Sequence, residues 1–223
     1  MQLRSNASAM TSLSGPDRLL SRIEHAARQG QALVIEYSGA RLLLDFSRQQ
    51  WVDTQRLLPR LLQNRNTGAL FDLEEISSRE ALVQQKGQGR PISEFWWELV
   101  YNAFDDTSHE HFNQYYGCRR DDVVHLSCWP NFSRVTVTPA CLRMAALFSA
   151  RPTSVFLASK ILEIPLPEVE RFYAAAVAAG VVERVNRSDS SAVMAPVPRP
   201  HRHQRLLKSL LSHLSRVYSA RSA

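Results

Sequence analysis

No run of eighteen apolar residues occurs in this 223-residue chain, which excludes a membrane-spanning helix. Residues 1–15 are small and polar and lack the apolar stretch of a secretory signal, so they are expected to form a disordered or tag-like N-terminus outside the fold. Cysteine is scarce: Cys118, Cys128 and Cys141 are odd in number and form no Cys-x-x-Cys. A disulfide framework is thereby disfavoured, and a reducing, cytoplasmic location is expected. Glycine is scarce too, with eight residues and no Gly-x-x-x-x-Gly-Lys-Ser/Thr, Gly-x-Gly-x-x-Gly or Gly-x-Ser-x-Gly. Phosphate-cradling and nucleophile-elbow motifs are therefore missing; no cofactor is expected, and catalysis has no signature.

What is present is ordinary globular material, 44% hydrophobic and 22% charged, which is incompatible with wholesale disorder. The net charge of +6 is unevenly placed. Residues 199–223 hold six Lys/Arg and no Asp or Glu, so the rest of the chain is neutral. Electrostatic partners are thus expected at the C-terminus. There Leu206, Leu207, Leu210, Leu211, Leu214 and Val217 recur at helical spacing behind a Pro-containing linker, flanked by Arg205, Lys208 and Arg216. A helix this short is marginal alone in water and needs a surface. Residues 197–223 are read as linker plus basic amphipathic helix. Arg205, Leu207, Lys208, Leu211, Leu214 and Arg216 are its interaction residues, packing on the chain's own body or a second copy of it, or meeting an acidic protein partner or nucleic-acid phosphates. The stripe has few aromatic anchors, which disfavours a membrane surface.

Along the body, residues 16–29 carry apolar positions at the helical period. Residues 32–37 and 41–46 surround Ser38-Gly39-Ala40 as a β-hairpin. Leu57, Leu58, Leu61 and Leu62 make a short helix that Pro59 must either start or kink, and Ser77-Ser78-Arg79-Glu80 fits a capping box. Ile92, Phe95, Trp96, Leu99, Val100, Ala103 and Phe104 predict the strongest helix. Residues 123–128 and 134–138 predict two strands around Trp129-Pro130-Asn131-Phe132. Helices mixed with hairpins, without β-helix-β alternation, indicate an α+β domain over residues 16–138.

From Pro139 the texture changes. Residues 141–148 predict a helix, Thr153 a cap for a helix over 154–162, and residues 167–179 a third helix closed by Gly180. Residues 181–185 predict a strand, with 192–194 returning beside it. The wording SVFLASKILEIPLPEVERFYAAAVAAGVVERV, over this layout, resembles the winged helix-turn-helix family, in particular the modules appended to bacterial signalling proteins. The resemblance spans residues 139–196 and implies a three-helix domain with a wing, used in that family for DNA or for protein contact. Read residue by residue, its third helix is poor for DNA. Glu168, Glu170 and Arg171 are the outward candidates, followed by Ala174, Ala175, Ala176, Ala178 and Ala179. A small-residue face permits close helix approach instead, including docking of the N-terminal domain. Arg171, Arg184 and Arg187 are the candidates for nucleic-acid contact.

Residues 105–128 concentrate metal-ligand types, of which His109, His111, His125 and Cys128 could be drawn as a zinc set. Their spacing lacks the i, i+4 pair of helical zinc motifs, so no metal is expected. Arg119-Arg120-Asp121-Asp122 contains the Arg-x-x-Asp found in cyclic-dinucleotide sites, but local charge pairing in a turn accounts for it. The resulting expectation is a non-enzymatic bacterial regulator or adaptor working through protein–protein contacts. A DNA-binding transcriptional regulator using the winged helix and basic tail is the alternative, and a metal-dependent hydrolase a remoter one.

Overall fold

The computed structural model describes residues 11–14, 16–63, 70–77, 80–81, 88–103 and 117–187. The basic stripe of residues 206–217, the return strand at 192–194, and His109 and His111 lie outside them. The architecture is α+β. A six-stranded antiparallel sheet has the order β1-β5-β2-β3-β4-β6, comprising β1 (Thr11–Ser14), β2 (Ala32–Tyr37), β3 (Ala40–Asp45), β4 (Gln50–Asp53), β5 (Leu70–Ile76) and β6 (Arg90–Pro91). Among the described residues three helices join it: α1 (Pro16–Gln29), α2 (Leu57–Gln63) and α3 (Ile92–Ala103).

The hairpin forms as its sequence dictates. Ser38 and Gly39 both have positive φ (51° and 76°), the type I′ geometry whose twist matches the flanking strands, and Tyr37 pairs Ala40. Alternation then sorts the side chains. Leu33, Ile35, Leu42, Leu44, Trp51 and Leu73 enter the main core with Ile23, Leu57 and Phe95 of the helices. Ala32, Val34, Leu43, Val52 and Ile76 form a smaller cluster with Ala81. Helix α2 starts where the Asp53 carboxylate accepts from the Leu57 and Leu58 N–H groups (2.7 and 2.9 Å). The capping box is present: Ser77 N–H donates to Glu80, and Glu80 N–H to Ser77 Oγ.

Two strands carry no clear sequence signal. β4 has four residues, and β5 (LFDLEEI) is acidic enough to depress strand propensity, although Glu75 pairs Arg22 of α1 at 2.7 Å. Thr11–Ser14, set aside with residues 1–15 as a disordered or tag-like N-terminus, instead add edge strand β1 to β5.

The C-terminal region holds α4 (Pro139–Ala150), α5 (Val155–Leu162) and α6 (Leu166–Ala178), with a three-stranded sheet of order β8-β7-β9: β7 (Val123–Leu126), β8 (Thr153–Ser154), β9 (Val182–Arg184). Three helices and this small antiparallel sheet are consistent with a winged-helix-like fold. Its connectivity carries a difference. The middle strand, β7, comes from before α4 and pairs with both β8 and β9, so it fills the slot between them that a strand returning from a wing would take. Residues 134–138 are not the strand expected there. The Thr136 N–H donates to Glu98 (2.6 Å) and the Thr136 carbonyl accepts from the Trp97 indole (3.0 Å), so α3 side chains satisfy this backbone in place of a ladder. Ser154, and not Thr153, caps α5 by accepting from Leu157 N–H, because the helix starts one residue later, at Val155, and the Thr153 hydroxyl donates to the Arg151 carbonyl (3.1 Å).

One core runs through both regions. Helix α6 packs chiefly against α3, and Trp97 meets Phe172 edge-on at 5.4 Å and stacks on Tyr101 at 5.7 Å.

Burial also creates one pH-sensitive position. Glu24 of α1 is 6% exposed, with Arg28 at 3.7 Å, and burial pushes its carboxyl up from 4.5 to about 7 against the smaller pull of Arg28. The folded state therefore holds a proton that the unfolded chain releases near its ordinary value, so Glu24 weakens folding as pH rises through that window. Glu24→Gln is expected to flatten the pH dependence of the urea midpoint between pH 4.5 and 7, and to stabilise the protein at pH 8. A variant less stable than the parent at pH 8 would contradict this.

Candidate functional site

Residues 117–123 form a strap across the C-terminal region. The Arg120 and Asp122 carbonyls accept from the Phe156 and Val155 N–H groups (3.0 and 3.2 Å), satisfying donors at the start of α5. Arg120 pairs Glu170 of α6 at 2.7 Å. Asp122, 1% exposed, is the hub. Its carboxylate accepts from the Arg119 N–H (2.8 Å) and the Tyr173 hydroxyl (2.6 Å), lies 2.7 Å from Arg187 Nε, and stands 3.9 Å from Arg184 Nε. Arg184 in turn donates to the Tyr173 hydroxyl (2.7 Å), and Arg187 reaches the Gly117 carbonyl. Asn186 closes the strap by donating to the Asp121 carbonyl and accepting from Val123 N–H (both 2.9 Å).

This clamp uses up residues that the sequence made candidates for other work. Arg184 and Arg187 turn inward to a buried carboxylate. Arg171 sits part-buried with its guanidinium 5.8 Å from the Tyr101 ring. Glu170 and the alanines are not an outward face: Val169, Glu170, Phe172, Tyr173, Ala174, Ala175, Ala176 and Ala178 are all buried. A helix apolar nearly all round is an interior helix. In Arg119-x-x-Asp122 the aspartate is spent on the clamp, and Arg120 on Glu170.

The clamp is also chemically quiet. Burial pushes the Cys118 thiol up to about 12, so it stays protonated at neutral pH, outside the thiolate range that nucleophilic or metal-binding cysteines need. The Tyr173 hydroxyl is raised by the same cause. His125 lies part-buried on β7 and Cys128 is exposed beyond its end. Among the described residues no group of three His, Cys, Asp or Glu could hold a metal ion, and His109 and His111 are outside them.

A second feature faces solvent. Phe156, Leu157 and Ile161 of α5 are 51%, 49% and 42% exposed, and Leu142 of α4 is 46% exposed. Arg143 of α4 donates to the Leu162 carbonyl, tying the two helices together, and the Lys160 ammonium lies 5.5 Å from the Phe156 ring centre. Single exposed apolar residues are ordinary, but three on one eight-residue helix are a high share of exposed apolar side chains. The residue reading missed this exposure, although a signal existed. VFLASKIL has six apolar residues in eight, and only Val155 and Ala158 are buried, so the excess must face water.

The described helices include none long and apolar enough to cross a membrane. No protein-family model, curated protein or solved structure matches this chain.

Proposed function

We propose that this protein is a non-enzymatic bacterial regulator or adaptor of the cytoplasm that works through protein–protein contacts, with the winged-helix-like region as its interaction module. The observation that supports this reading is the opposite fate of two successive helices. Helix α6, which stands where a recognition helix would read a groove, spends its surface on α3 and on the clamp, while α5 offers Phe156, Leu157 and Ile161 to solvent. Base reading needs exposed Arg, Lys, Asn or Gln at a groove-facing surface. An apolar helix face suits another protein. Three free thiols fit a reducing compartment.

Titration with duplex DNA, followed by fluorescence anisotropy, tests the reading. The expected result is weak binding without sequence preference that collapses as salt rises, because only the basic tail supplies phosphate affinity. A sequence-selective complex that survives physiological salt and weakens in Arg171→Ala would overturn it in favour of a transcriptional regulator.

A further inference from the structure

We draw no further inference here: the strongest candidate, the surface patch in which exposed Trp129 stands edge-on to Phe132 on the loop between β7 and α4, is an apolar patch, and nothing in the structure shows what covers it.

Discussion

Replacing Asp122 with alanine is expected to cost about 3–5 kcal/mol of folding stability, the range for removing one partner of a buried ion pair. The loss is large because the carboxylate is 1% exposed and its partners cannot all retreat to water. The Arg184 side chain is 8% exposed and stands 3.9 Å from this carboxylate, and the buried Tyr173 hydroxyl would lose its acceptor. Asp122→Asn should fall between parent and alanine, because the amide oxygen still accepts from Arg119 N–H or Tyr173 while the charge is gone. By contrast, Arg41→Gln removes a pair with Glu36 that is 52% and 31% exposed, and should cost about 1 kcal/mol or less. Urea midpoints check the order. An Asp122→Ala protein as stable as Arg41→Gln would show that the clamp contributes little.

Trp97→Ala is expected to cost a similar amount, about 3–5 kcal/mol, as large aromatic truncations in cores do. Trp97 is 1% exposed and meets Tyr101, Phe132 and Phe172 with ring centres 5.7, 5.8 and 5.4 Å away, while its indole N–H donates to the Thr136 carbonyl. Removing it opens a cavity between α3 and α6 and orphans a carbonyl. Trp129→Ala is the informative control. It touches the same Phe132 (5.9 Å) but is 51% exposed, so its loss should be small. Either large loss consumes much of the 5–15 kcal/mol that holds a typical domain together. Equal losses for Trp97→Ala and Trp129→Ala, read from the same urea curves, would contradict this view of the interface.

The parts of the fold legible in the sequence are those whose local pattern and tertiary environment agree. The hairpin at Ser38-Gly39, the α3 stripe, the Ser77–Glu80 capping box and the three C-terminal helices all have that character. β5 was illegible because Asp72, Glu74 and Glu75 hide a strand that buries Leu73 and Ile76. The third strand of the small sheet was legible as a strand at Val123–Leu126, but not as the partner of β8 and β9, since a strand's pattern does not state its neighbours. For the site, the small-residue face of α6 was legible as a docking surface for the N-terminal region, and α3 occupies it. Composition misdirected Arg184 and Arg187 outward, because a lone arginine after a strand looks solvated until a buried carboxylate sixty residues upstream is placed against it.

The central claim is that α6 is an interior helix shared with α3. Native-state hydrogen exchange in low denaturant measures that coupling directly. The account predicts that the central amides of α6, around Ala174 to Ala176, exchange with the same free energy and denaturant slope as those of β2 and β3, through global unfolding only. Exchange of α6 through a cheaper opening that leaves the six-stranded sheet protected would contradict it, and would return the helix to service as an exposed reading surface.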